Sequence, residues 1–299
     1  MGGEQGERFP DGTPPKDNAF NYYIELGKEK ALQEIRQNFE NSPDKRKNLP
    51  YHNTAHTQQV ITDIETILGA IQKVDPKLIT ERKIKLGGLI AAGHDRIQDF
   101  KTVETTDGDF TIKKREKAAK NEENSAVKTV EFMREANKKA KKKIFSKQDM
   151  RLAEEATLVT VTDLDPELVI VQPNLSRTSS LVAKALALAD LSNVGMHDPE
   201  EFMKTTFALF REENLDFLDS QHLKTRMIDW LKLQAKFAEG RQEDFKKQIL
   251  WFPKKTQSAI RELFNRFGEA QYAIDKLSED AKGMSLEELI GLFGYRAAS

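Results

Sequence analysis

Two short segments, His52-Asn53-Thr54-Ala55-His56 and Gly93-His94-Asp95, hold three of the five histidines in the chain. Both lie within apolar segments whose spacing predicts helices. Imidazoles and carboxylates in such surroundings are costly to desolvate unless an ion or a hydrogen-bond partner offsets them, so the pattern is that of a metal site. Histidines four apart share a helical face and invite comparison with the zinc-protease motif H-E-x-x-H, whose Glu is the general base. Asn53 stands at the place of that Glu, and His52 precedes the expected helix start, so the two imidazoles need not share one ion. His94 and Asp95, neighbours on a helix, would point about 100° apart, close to the roughly 90° between adjacent ligands of an octahedral ion lying between helices. His56 can add a second nitrogen, and the best candidate for a further carboxylate is Asp190, which ends the apolar run Leu181 to Ala189.

The elements that must position these groups are all helical. Apolar spacing through Phe20, Tyr23, Ile24, Leu32, Ile35 and Phe39 predicts a first helix, closed by Asn41-Ser42-Pro43. A second helix is expected from about Thr54 to Val74, with His56 in its first turn and Asp75-Pro76 ending it. A third, from about Lys77 to Ile97, becomes wholly apolar from Leu86 to Gly93, which implies burial on all sides, and its glycines permit close helix contact. Residues 98–117 are polar and show no helical period, as in an insertion or lid, with a short hairpin at Thr106 to Ile112. Further helices are expected at 117–137, 147–161, 177–190, 199–211, 214–239, 254–278 and 285–293. The expected fold class is all-α: a disordered arm over 1–17, a helical core over 18–240 and a C-terminal helical extension over 241–299.

Composition excludes several function classes. There is no cysteine, so thiolate chemistry and Cys-based zinc sites are absent and any metal ligands are His, Asp or Glu. The 47 basic and 48 acidic residues leave no global field to recruit a nucleic-acid polymer or an anionic membrane. Lysine runs such as Lys138 to Lys143 read as solvated helix ends. No segment reaches the roughly 18 consecutive apolar residues of a membrane span, and the first seventeen residues lack the pattern of a secretory signal, so a cytoplasmic location is expected.

The ordered set His56, His94-Asp95, Asp190 resembles the HD-domain superfamily of metal-dependent phosphohydrolases. Tyr51-His52-Asn53 with His56, and Ala189-Asp190-Leu191-Ser192-Asn193, are similar to motifs of class I cyclic nucleotide phosphodiesterases. Asn121-Glu122-Glu123 with Ser125-Ala126, and Arg211-Glu212-Glu213, resemble instead the small bacterial HD phosphohydrolases. The resemblance covers roughly residues 50–215. The chain has Arg96-Ile97-Gln98-Asp99 where the phosphodiesterases carry a further histidine, and no histidine between Asp95 and Asp190, where di-iron oxygenases of the superfamily have theirs.

The resemblance implies an HD-type bundle with one tight divalent ion (Mn, Fe, Co, Zn or Mg) on His56, His94, Asp95 and Asp190, and a second Mg held by Asp95 and water. It implies that His52 protonates the leaving oxygen while metal-activated water attacks, with Glu122 orienting waters. Asn53, Asn121, Arg211 and Gln221 are the candidate substrate contacts, Gln221 by similarity to the purine-reading glutamine of the phosphodiesterases. His197 and His222 have no partnered spacing and are expected to be capping or surface residues. The expected activity is hydrolysis of a phosphoester of a small, nucleotide-like substrate, monoester or diester. The alternative is a sensor or scaffold that retains nucleotide without turnover.

Overall fold

Asn53 starts the helix that carries the first ligand. Its side-chain oxygen accepts hydrogen bonds from the backbone N–H groups of Ala55 and His56, and α2 (Thr54–Val74) runs from there until Asp75-Pro76 stops it. Val60, Ile64, Ile67, Leu68 and Ile71 form its buried face, each contributing roughly 1.5–3 kcal/mol by leaving water. The computed structural model describes residues 18–44, 47–104, 111–115, 119–164, 170–214 and 222–295. The expected arm over 1–17 lies outside them.

Before α2, α1 (Ala19–Ile35) passes into one turn of π-helix, Arg36–Glu40. Thr80 caps α3 (Glu81–Gly93), whose residues from Leu86 to Gly93 are all buried. Gly87 lets α3 approach α2 closely: a Cβ there would lie 2.8 Å from Leu68 Cδ1. α4 (Lys120–Lys139) follows, then α5 (Lys147–Leu158), which opens with a capping box between Ser146 and Asp149. Ser180 caps the apolar α6 (Leu181–Asp190), and Pro199 begins α7 (Pro199–Glu213). The remaining helices are α8 (Leu223–Gln248), α9 (Gln257–Leu263), α10 (Phe267–Gly283) and α11 (Leu286–Leu292).

The fold is an all-α bundle. α2 packs against α3 and α6, α1 against α3, α5 against α4 and α6, and α8 against α10. Among the described residues the strands form two small antiparallel pairs: β1 (Phe100–Glu104) with β2 (Thr111–Arg115), and β3 (Asp163–Leu164) with β4 (Ile170–Val171). The hairpin after Asp95 is therefore wider than expected, starting at Phe100 instead of Thr106.

Element boundaries differ in several places from those the sequence predicts. α3 ends at Gly93, so His94 and Asp95 occupy the turn beyond it, not the helix. The expected helix over 254–278 is broken between Leu263 and Phe267. The expected boundary at residue 240 falls inside α8, and one continuous hydrophobic cluster runs from Ala19 to Phe293. Gly195, at φ +100°, fixes part of that continuity: its carbonyl accepts from the Arg266 N–H at 2.9 Å, and the Phe267 ring leaves no space for a Cβ. No helix among the described residues is long and apolar enough to cross a membrane.

Candidate metal centre

Three elements deliver the four expected ligands to one place. His56 comes from the first turn of α2, His94 and Asp95 from the turn after α3, and Asp190 from the last residue of α6. One donor atom from each lies within 4.8 Å of the others. His94 Nε2 is 3.0 Å from Asp95 Oδ2 and 3.2 Å from Asp190 Oδ1. His56 Nε2 is 3.3 Å and 3.6 Å from the same two oxygens. Two imidazole nitrogens and two carboxylate oxygens at this spacing could hold a divalent ion with room for water.

The cluster has an atom that such an ion would satisfy. His56 Nε2 is sealed from solvent and makes no hydrogen bond among the described residues, although two carboxylates stand near it. His94 is 1% exposed, and its Nδ1 lies 2.6 Å from the Ala91 carbonyl oxygen. A carbonyl can only accept, so Nδ1 carries a proton and Nε2 is the nitrogen turned to the cluster, where it could ligate once its own proton is displaced. The same carbonyl also accepts the His94 backbone N–H at 3.4 Å, so it takes two bonds from one residue where α3 stops.

Asp95 is aimed by a relay of amides. Its Oδ1 accepts from Gln98 Nε2 at 2.8 Å, while Gln98 Oε1 accepts from Asn121 Nδ2 at 3.3 Å. Asn121 also takes the Asp99 N–H on its own oxygen. Oδ2 of Asp95 is thereby left for the cluster. Asn121, expected at the substrate, is 2% exposed and engaged in this relay, and Asn53 is similarly engaged, its Nδ2 donating to the Pro50 carbonyl while its oxygen caps α2.

The electrostatics of the cluster are those of mutually dependent charges. Burial disfavours the charged imidazole of His94, yet Asp95 and Asp190 outweigh it and hold its pKa well above 6.5. His56 is raised by the same two carboxylates against the same burial. Burial likewise opposes ionisation of Asp190, but the imidazoles of His56 and His94 beside it bring it down to about 2. Asp95 is held well below 3.8 despite its burial, chiefly by the charge of His94.

His52 stands apart from the four. Its Nδ1 is 2.5 Å from Glu212 Oε1, and Glu212 Oε2 accepts the backbone N–H groups of Tyr51 and His52 at 3.0 and 3.1 Å. Burial raises the Glu212 pKa, but the His52 charge and these hydrogen bonds overcome it, leaving the carboxyl below 4.5 and ionised near neutrality. An ionised carboxylate only accepts, so Nδ1–H points to Glu212 and Nε2 is freed for other work. His52 lines a cavity of about 160 Å³ together with Asp95, Asp190 and Glu122. Glu122, in the first turn of α4, is 3% exposed.

The other expected contacts are dispersed. Arg211 Nη1 donates to the Phe293 carbonyl at 2.5 Å and borders a second cavity, of about 280 Å³, on the side of His56 and Lys204. Gln221 lies outside the described residues. His222 is the exposed N-cap residue of α8. His197 is not a simple surface residue: its Nε2 is 2.7 Å from Oδ2 of the buried Asp63, which also accepts from the Ser192 hydroxyl at 2.5 Å. This ties the loop after Asp190 to α2, seven residues beyond His56.

Sequence reasoning assigned no part to Glu212, Gln98 or Asp63. One signal was available for Glu212: it follows Ala208 by one helical turn, a carboxylate on an otherwise buried stripe. No protein-family model, curated protein or solved structure matches this chain.

Proposed function

We propose that this chain is a metal-dependent phosphohydrolase of HD type that cleaves a phosphoester of a small, nucleotide-like substrate. The observation that carries this reading is the placing of His52, fixed by a buried ionised Glu212, on the same cavity wall as Asp95 and Asp190 but outside the four-residue cluster. A metal platform alone fits many roles, whereas an oriented imidazole beside it fits proton transfer.

His56, His94, Asp95 and Asp190 would hold the ion, which supplies positive charge to polarise a phosphoryl oxygen and to acidify water. The protein's own part is positional. Gln98 and Asn121 keep one oxygen of Asp95 turned to the cluster, and the Ala91 carbonyl keeps His94 in the tautomer that can ligate. Water gives one proton to solvent as its oxygen bonds to phosphorus, the bond to the leaving oxygen breaks, the Nε2 proton of His52 passes to that leaving oxygen, and His52 regains a proton from solvent. Glu212 stabilises the imidazolium before transfer and holds the ring afterwards. Glu122 faces the same space and can order water there. The cavity is smaller than the roughly 300–1,000 Å³ of pockets that enclose a drug-sized ligand, so the distal part of a nucleotide would sit at its mouth.

The test is turnover of a panel of nucleoside monophosphates, cyclic nucleotides and dinucleotides with Mn2+ and with Mg2+, alongside metal analysis. Stoichiometric divalent metal and metal-dependent release of product, abolished in Asp95→Asn, are expected. Nucleotide retained without product over hours would replace hydrolysis with the sensor reading, and full activity of Asp95→Asn would overturn the mechanism.

A further inference from the structure

Asp63, on α2, is 1% exposed and is neither a member of the metal cluster nor a proton donor. Its Oδ2 accepts the Ser192 hydroxyl at 2.5 Å and lies 2.7 Å from His197 Nε2. Gln59 Nε2, one turn earlier on α2, reaches the same oxygen at 3.3 Å. A buried carboxylate is costly unless its lone pairs are filled, so contacts converging on one oxygen make a firm joint between α2 and the chain that leaves α6.

Both ends of this joint lead to expected metal ligands. A spacing of seven puts Asp63 on the helical face that carries His56, roughly 10 Å further along the same helix. Ser192 is two residues beyond Asp190, in the turn 191–196 where α6 has ended. The two aspartates of the cluster also differ in how they are aimed. Asp95 receives the Gln98 amide on Oδ1, which leaves Oδ2 for the cluster. The Asp190 carboxylate has the two imidazoles beside it and, among the described residues, no amide or hydroxyl to orient it. Its place is set instead by the backbone at the end of α6, and Asp63 ties that backbone to the helix of His56.

We propose that Asp63 is a positioning residue of the metal centre: through Ser192 and His197 it sets Asp190 against His56 at the separation that one ion can bridge. The assignment rests on the reading of His56, His94, Asp95 and Asp190 as metal ligands. Loss of the joint would leave all four ligands in the chain but free Asp190 to move relative to His56. The consequence would appear in metal affinity as well as in stability.

The test measures the Mn2+ affinity of the full chain by competition with a chelator, alongside the melting temperature of the metal-free protein. Asp63→Ala is expected to bind Mn2+ about ten- to a hundredfold more weakly than the wild type. Asp63→Asn keeps an acceptor oxygen for Ser192 and His197 and should recover most of that loss. Ser192→Ala removes one bond of the joint, and a loss of about two- to tenfold is expected. Ile274→Ala, which hollows the core in α10, should lower the melting temperature while keeping wild-type Mn2+ affinity. Wild-type affinity in Asp63→Ala, or an equal loss in Ile274→Ala, would make Asp63 a merely structural residue and overturn the assignment. If Asp63→Ala fails to fold, Ser192→Ala decides, and unchanged affinity in that variant overturns it. A wild type that binds no Mn2+ would remove the metal-centre reading itself.

Discussion

His52 and Glu212 are 160 residues apart in the chain and 2.5 Å apart in space, and on the proposed function their pairing would separate proton transfer from metal binding. His52→Asn is expected to lower kcat roughly a hundred- to ten-thousandfold while leaving metal content unchanged. An unaltered kcat would remove His52 from the chemistry. Glu212→Gln preserves shape and an acceptor for the two backbone N–H groups but removes the charge behind the imidazole, and a smaller loss of about ten- to a hundredfold is expected. The metal cluster makes its own prediction at this scale. In the metal-free protein His56 and His94 have folded pKa values above 6.5, so their contribution to stability is complete below that value and is lost as pH rises through the folded values. Asp95 and Asp190, held low, contribute above their ordinary value of 3.8 and lose that contribution only in acid. The melting temperature of metal-free protein is therefore expected to fall as pH rises above 6.5, with Mn2+ restoring most at the upper end, where the ion replaces departed protons. Calorimetry showing the same gap between metal-free and loaded protein at both ends would contradict this account.

At the scale of elements, the start of α2 and the end of α3 decide the site. Asn53 caps α2, ties it to Pro50, and so sets the angle between His52, before the helix, and His56, inside it. Asn53→Ala is expected to cost about 1 kcal/mol of stability and, more tellingly, to weaken metal affinity although no ligand is changed. Metal titration and thermal melting would separate the two effects, and an unaltered metal affinity would mean that the cap does not position His56. The helices on either side of this cap were legible in the sequence because apolar periodicity is local. The end of α3 was not. The run from Leu86 to Gly93 continues smoothly in composition, whereas in the structure His94 Nδ1 turns back to the Ala91 carbonyl while its Nε2 faces Asp190 on another helix, contacts that composition does not encode. For the same reason the candidate substrate amides of Asn53 and Asn121 were visible as motif members but not as a helix cap and a link to Asp95.

For the whole molecule, the C-terminal helices brace the helix that carries Glu212. Arg211 binds the Phe293 carbonyl, the Tyr295 hydroxyl donates to the Asn214 carbonyl at 3.4 Å, and Lys224 Nζ donates to the Met284 carbonyl at 2.5 Å. Phe245, Phe264 and Phe267 stack into the same core. A chain cut after residue 240 would sever α8 and expose these surfaces, so it is expected to aggregate or to show no cooperative melt; a soluble, cooperatively melting 18–240 fragment would establish two separable units. By itself the sequence determined the helical class, the absence of cysteine chemistry and the identity of four ligand-type residues in apolar surroundings, because each follows from local pattern and from the cost of burying charge. Only the tertiary structure decided that His56, His94, Asp95 and Asp190 meet, that His52 faces Glu212 and that His197 reaches the buried Asp63. Those facts depend on contacts between elements distant in the chain, whose distances no local pattern encodes.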